Sequence, residues 1–229
     1  MKTKPKVTNS SVTAQFGNGP TTRMNILSRF RSLLPPSETI TGYEHPELVE
    51  VIFQKTKAYR PAARWNETAR TVLDFGGGCG LHYKEAGLNA KWAVVETPAM
   101  VARAKELETN QLRFFTSIDD AANWLGSIDM VYSNGALQYT PNPEAILRTL
   151  IDLRASMLLW RRTVLATERE TELQASRLAD NGPGRIAAAN KIVSYPAIRM
   201  AERDFLAAHS GYKLYERSGF DFRFIRERQ

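Results

Sequence analysis

The stretch that most constrains the fold is residues 71–80, Thr-Val-Leu-Asp-Phe-Gly-Gly-Gly-Cys-Gly. An apolar run (Val72, Leu73) leads into an acid (Asp74). A glycine cluster follows (Gly76, Gly77, Gly78, Gly80), and a helical segment begins near Leu81. A buried strand that turns sharply into a helix needs this composition. Glycine adopts positive φ and lets a ligand approach without a Cβ in the way. The helix N-terminus then offers unpaired N–H groups and positive potential to a polar or anionic group. The residues predict an α/β chain that holds a nucleotide-like ligand at this turn.

Glycine spacing narrows the ligand. The dinucleotide fingerprint G-x-G-x-x-G/A fails from Gly76 at Leu81 and from Gly77 at Cys79, so a nicotinamide-dependent oxidoreductase is the weaker reading. No G-x-x-x-x-G-K-[ST] string exists, which argues against a phosphate-loop nucleotide site. Lys91–Glu96 is a buried-strand run ending in an acid 22 residues after Asp74, about where a carboxylate meets a ribose diol. Leu112–Ser117, Ile128–Ser133 and Met157–Trp160 are further strand runs. Thr97-Pro98 and Asn142-Pro143 pair a cap residue with proline at a helix start. Ile146, Leu147, Leu150 and Ile151 form an apolar stripe on the second of these helices. Alternation from 71 to about 165 predicts parallel strands with right-handed crossovers. Tyr212–Glu216 and Phe220–Ile225, joined at Ser218-Gly219, predict a closing antiparallel hairpin.

The form Asp74-x-Gly76-x-Gly78-x-Gly80 resembles the first motif of class I S-adenosylmethionine-dependent methyltransferases. Leu-Asp-Phe-Gly-Gly at 73–77, Val-Val-Glu at 94–96, Leu-Gln-Tyr at 137–139 and Ser-Tyr-Pro at 194–196 resemble one sparsely characterised group of bacterial methyltransferase-like proteins, often associated with surface-polysaccharide genes. That resemblance covers roughly residues 40 to 225. It implies a doubly wound, seven-stranded, mostly parallel sheet of Rossmann-like form, with S-adenosylmethionine as cofactor. It also implies site roles. Gly76, Gly77, Gly78 and Gly80 make room for the methionine and ribose, and Asp74 orients the methionine end. Glu96 holds the ribose diol, Ser117 and Ile118 flank adenine, and Asn134 with Gly135 closes the pocket. One departure is plain. The group carries an Asp-Arg-Thr-Pro-like string after the fifth strand, where this chain reads Trp160-Arg161-Arg162-Thr163-Val164.

On the acceptor side the candidate catalytic residues are His82, Tyr139, Tyr195 and Arg162. His82 follows the glycine turn and is a candidate base. Tyr139 and Tyr195 are placed to orient an acceptor by hydrogen bonding. Arg162 suits an acidic sugar or a phosphate, held bidentately. His209 reads as a dipole partner at a helix end. Cys79 reads as a space-filler, because nothing near it in the sequence lowers its pKa. No histidine–carboxylate cluster suggests a metal.

Residues 1–25 are polar, with Gly17, Gly19 and Pro20, and read as a disordered basic tail. Residues 26–69 read as a helical cap. It comprises a short helix over 26–36, stopped at Pro35-Pro36, and a second from Pro46 to about Arg60 bearing Val49, Ile52, Phe53 and Tyr59. Tyr43, just ahead of that helix, is a candidate to face the pocket. Residues 70–229 form the Rossmann-like domain, interrupted by an insert over 166–198. Within the insert Thr167–Leu178 reads as helix, Asn181-Gly182-Pro183-Gly184 as a loop, and the whole as a substrate-side flap. Ile198–Ala208 reads as a further helix.

The net charge of +7 belongs to the leader. The first 37 residues hold six basic residues and no acid, leaving 25 basic against 24 acidic residues elsewhere. A basic face for nucleic acid is therefore not expected on the folded part. No apolar run approaches a bilayer span, and no secretory h-region is visible. The single cysteine excludes an internal disulfide. The expectation is a cytoplasmic methyltransferase acting on a small molecule or saccharide precursor. A non-catalytic module that binds the same cofactor is the alternative.

Overall fold

Five apolar runs of four or five residues, each fed by a helix or turn, pair with a closing hairpin into one sheet in the computed structural model. It describes residues 39–61, 65, 67–184, 186 and 190–227. The expected tail over 1–25 and the short helix over 26–36 lie outside the described residues. The main strands are β2 (Thr71–Phe75), β3 (Lys91–Val95), β4 (Leu112–Phe115), β5 (Met130–Asn134), β6 (Met157–Arg161), β9 (Tyr212–Ser218) and β10 (Asp221–Arg226). They lie in the order β4-β3-β2-β5-β6-β10-β9, parallel from β4 to β6, with β10 antiparallel to both of its neighbours. This is the seven-stranded, mostly parallel, doubly wound sheet that the sequence predicts. The chain runs outward from β2 through β3 to β4, then returns to place β5 on the other side of β2. The strand order therefore reverses between β2 and β5, the switch point at which such sheets open a crevice.

Alternation within each strand divides the core between two faces. Leu73, Val95, Val131, Leu158 and Trp160 pack with α4 (Ile118–Leu125), α5 (Pro143–Asp152) and α6 (Glu202–Ala208). Val72, Trp92, Val94, Met130 and Tyr132 pack on the opposite face with Val49 and Phe53 of α1 (Pro46–Ala58) and Met100 and Val101 of α3 (Pro98–Ala104). Helix α2 (Leu81–Ala86) starts at Gly80, held in the left-handed region at φ 83°. Asn142 caps α5 by accepting from the Ala145 N–H at 3.1 Å, as its position predicts. Thr97 occupies the N-cap of α3, but its buried hydroxyl makes no capping bond. The turn there is closed instead by the Val101 N–H donating to the Thr97 carbonyl at 2.9 Å.

The insert corrects one expectation. Thr167–Leu178 is not a helix: β7 (Glu170–Arg177) runs antiparallel to β8 (Ile192–Arg199), and β1 (Thr39–Thr41) adds to β8 in parallel. The acids that gave the segment its helical look pair across strands, Arg199 reaching Glu170 at 3.0 Å and Glu172 at 2.6 Å. The β-branched, aromatic run Ile192-Val193-Ser194-Tyr195 supplies a partner that local propensity does not register. Pro196 fits within β8 because β1 ends opposite Ser194, so no third strand asks for its missing N–H. Ser194–Pro196 is thus strand, and Ile198–Arg199 ends β8, so the last helix is confined to Glu202–Ala208.

Candidate functional site

The carboxyl ends of β2, β3, β5 and β6 open on a hollow of about 910 Å³. Its floor is the glycine turn, and one wall comes from α1 and the three-stranded sheet. Gly76 (φ 73°) and Gly78 (φ 57°) take backbone conformations that favour glycine. A Cβ on Gly76 would stand 2.1 Å from the Ala136 Cβ, so the bend and the β5 loop fit only without a side chain there. Gly80 serves packing rather than the hollow, since a Cβ there would press on Leu112 and Phe114 at 3.2 and 3.3 Å.

Glu96 directly follows β3 and faces this hollow. Its Oε1 accepts the Gly78 N–H at 3.0 Å, and its Oε2 accepts the Thr97 N–H at 2.9 Å. The acid from one strand thereby holds the glycine turn of the next. Burial pushes its pKa above the usual carboxylate range, and the two backbone donors work against that shift. A carboxylate has about four lone-pair positions, so those two bonds leave acceptor capacity for hydroxyls on the open side.

Asp74 occupies a different place from the one the resemblance implies. It is fully buried beneath the turn, where it accepts from His82 Nδ1 at 3.0 Å and from Trp92 Nε1 at 3.1 Å. A Cβ on Gly77 would lie 2.3 Å from its Oδ2. Asp74 therefore braces the turn from below. Trp92 was not legible as its partner, because only the pairing of β2 with β3 brings the two together.

His82 lines the hollow with both ring nitrogens engaged. Nδ1 faces Asp74, and Nε2 lies 3.3 Å from Asn134 Nδ2. Asn134 Oδ1 in turn accepts from Arg162 Nε at 2.6 Å. The result is a continuous string, Asp74–His82–Asn134–Arg162. Burial opposes protonation of His82, but the charge and hydrogen bond of Asp74 outweigh it and raise its pKa. With Asn134 Oδ1 committed to Arg162, the amide presents N–H to Nε2. That contact suits the neutral Nδ1–H form.

Asn134 and Gly135 stand on the wall, joined by Ala136 and Gln138. Ser117 and Ile118 do not. Ser117 caps α4 by accepting from the Asp120 N–H at 3.3 Å, and Ile118 packs on the sheet core, while Thr116 faces the hollow in their stead. Tyr43, Tyr139 and Tyr195 all reach the wall and cluster, with ring centroids 4.7–5.4 Å apart. Their hydroxyls are engaged too: Tyr139 donates to Gln174 at 2.9 Å and Tyr195 to Ser176 at 3.3 Å. Burial, then the neighbouring Tyr195, raises the Tyr43 pKa well above its ordinary value. His209 lies away from the hollow, buried on the opposite face of the sheet. Asn181, read in the sequence as part of a loop, lines the hollow as well, as do Asp180 and Gln138, which sequence patterning gave no role.

Among the described residues no cluster of histidine, cysteine or acid side chains suits a metal ion, and no helix is long and apolar enough to cross a membrane. No protein-family model and no curated protein sequence matches the chain. Among solved structures it is similar to the glycopeptide N-methyltransferase MtfA, at 8% identity over 87% of this chain and 98% of that one, with a TM-score of 0.49. It is also similar to the N-terminal domain of EvdMO1 with SAH bound, at 13% identity over 80% and 82% of the two chains, TM-score 0.42. A third is the mitomycin 7-O-methyltransferase MmcR, at 17% identity over 78% of this chain and 54% of that one, TM-score 0.42. These likenesses are loose, and the fold assignment stands on the strand order itself.

Proposed function

We propose that this chain is an S-adenosylmethionine-dependent methyltransferase acting on a small molecule or saccharide precursor. The observation that carries the reading is Glu96. Its carboxylate stands beside a side-chain-free bend, holds that bend by the Gly78 N–H at 3.0 Å, and faces the same hollow. That pairing fits a ribose diol on the acid and a compact polar chain over the glycines, which is the outline of an adenosyl amino acid.

Bound there, the cofactor supplies an activated methyl group on a sulfonium. The protein's own work is then alignment. The glycine turn and Glu96 fix the nucleoside end, while Asn134, Gly135 and the tyrosine cluster define where an acceptor atom stands. Correct placement alone is worth about 7–11 kcal/mol in such displacements. His82, Tyr139 and Tyr195 are each tied to protein partners. We assign them to positioning, and the reaction to proximity without a dedicated base.

Those same commitments favour one second reading, a binding module that retains the cofactor without transferring its methyl group. Thermal unfolding with S-adenosylmethionine, S-adenosylhomocysteine and NAD separates the cases. Ligand at 100 times its dissociation constant adds about 2.7 kcal/mol, or roughly 5–10 °C for a chain of this size. Both adenosyl ligands are expected to give that shift, and a shift with NAD alone refutes the assignment. Label from methyl-labelled cofactor appearing in a candidate small molecule or sugar nucleotide then distinguishes enzyme from module.

A further inference from the structure

Arg162 follows β6 directly, and its backbone sits at φ 47°, a region uncommon for a residue with a Cβ. Three contacts hold it there. Its N–H donates to Asp221 Oδ1 at 2.8 Å, its carbonyl accepts from Gln138 Nε2 at 3.3 Å, and its Nε donates to Asn134 at 2.6 Å. The bend folds the side chain back over Gly135, where a Cβ would stand 3.3 Å from Nη2. Arg162 is the only lysine or arginine on the wall of the hollow among the described residues. No described carboxylate pairs with its guanidinium: Asp221, the nearest acid by contact, is taken by the Arg162 backbone and by Arg161 at 2.9 Å. Beside it, Gln138 is only 7% exposed and lines the same wall, yet its Oε1 has no partner. The corner thus offers the open edge of a guanidinium on the wall of the hollow, held in place by a backbone bend and by contacts to Asp221, Gln138 and Asn134.

We infer that this corner is the acceptor's anion subsite: Arg162 binds a carboxylate or phosphate group of the methyl acceptor. The inference rests on the methyltransferase reading and names its substrate class, an oxyanion-bearing small molecule. Position separates it from the nucleoside end. Arg162 extends from β6, three strands along from the strand that carries Glu96, or about 14 Å at roughly 4.8 Å per strand. It stands instead beside Gln138 and Tyr139, on the wall shared with the three-stranded sheet. The terminal guanidinium nitrogens present two parallel N–H donors, the geometry that oxyanions take bidentately.

The test uses the full chain, with Arg162→Gln and Arg162→Lys beside the wild type. Titration calorimetry measures S-adenosylhomocysteine and 5′-methylthioadenosine, which lacks the amino-acid arm. Thermal unfolding at saturating S-adenosylhomocysteine then takes D-glucuronate, inorganic phosphate or neutral D-glucose as probe. At ten times its dissociation constant, an oxyanion probe is expected to raise the wild-type midpoint by about 3–6 °C. Glucose gives no shift, Arg162→Gln abolishes the oxyanion shift, and Arg162→Lys retains part of it. Glucuronate alone acting identifies a carboxylate, and phosphate alone a phosphate. S-adenosylhomocysteine affinity stays within about twofold in both variants. No oxyanion shift in the wild type, or an equal shift in Arg162→Gln, overturns the proposal. So does a tenfold loss of S-adenosylhomocysteine with 5′-methylthioadenosine unchanged, because that places the guanidinium on the cofactor's own carboxylate. If the wild type binds no S-adenosylhomocysteine, the methyltransferase reading itself falls, and that result is distinct from the others.

Discussion

Replacing Glu96 by glutamine keeps the side chain's size and removes one acceptor and the charge. In the wild type both oxygens accept backbone N–H groups, Gly78 at 3.0 Å and Thr97 at 2.9 Å. The amide nitrogen of glutamine must face one of these donors, so one of the two contacts becomes donor against donor. The ribose side loses a charge-assisted bond worth about 1.5–3 kcal/mol, and the loosened turn adds to that. A total of about 2–4 kcal/mol corresponds to a rise in dissociation constant of roughly 30- to 1,000-fold. The free protein should behave differently. The pKa of Glu96 is raised, chiefly by burial, so its ionised form is disfavoured in the folded state. A group of this kind contributes stability below its unfolded pKa and loses that contribution as pH rises through the folded one. At neutral pH a neutral glutamine therefore should not lower the melting temperature of the unliganded chain by more than a few degrees. Calorimetry with S-adenosylhomocysteine, paired with thermal unfolding of the free protein, checks both halves. A dissociation constant within twofold of wild type refutes the ribose role, and a collapse of the free protein refutes the stated division between binding and stability.

Three further outcomes follow from the same geometry. Gly76→Ala meets positive φ and a Cβ contact at 2.1 Å; a loss of about 2–4 kcal/mol is expected in a urea titration, and a loss under 0.5 kcal/mol contradicts the packing described. His209 is buried and neutral, donating to the Phe205 carbonyl at 2.7 Å and accepting from Trp160 at 2.8 Å, with a pKa lowered by burial to about 4. Its contribution is complete above the unfolded value near 6.5 and is lost as pH falls toward 4, amounting to about 3 kcal/mol; a wild-type urea profile parallel to that of His209→Phe over this window speaks against it. Burial raises the Cys79 thiol to about 12, so iodoacetamide at pH 8 should label it only after unfolding, and rapid labelling of the native chain is the contrary result.

The sheet was legible in the sequence because the inner parallel strands β2, β3, β5 and β6 are buried on both faces, and their apolar runs announce themselves without a partner. The glycine turn and Glu96 were legible for a similar reason: the bend needs residues without side chains, and the acid directly follows its own strand. Asp74 looked like a ligand group because it precedes the glycines, yet its partners, Trp92 and His82, are set by strand register and by the turn of α2. Ser117 and Ile118 sit one and two residues past Thr116 on the wall, a difference that only the cap of α4 decides. The segment 170–177 misled for a physical reason. Its alternating acids and polar residues suit an exposed helix and an exposed edge strand equally, and β8 settles the matter from fifteen or more residues away.

The three-stranded sheet also says something about how the molecule is assembled. Thr39 pairs with Ile192 across about 150 residues of chain, whereas β2, β3, β4, β5 and β6 each find a neighbour much nearer in sequence. Closing so long a loop for only three residue pairs returns little until the rest is in place. The enclosure beside Tyr139 and Tyr195 is therefore completed after the central scaffold, and the same remoteness makes it the part most easily opened again. Amide exchange along β1 should outpace that along β2 and β5.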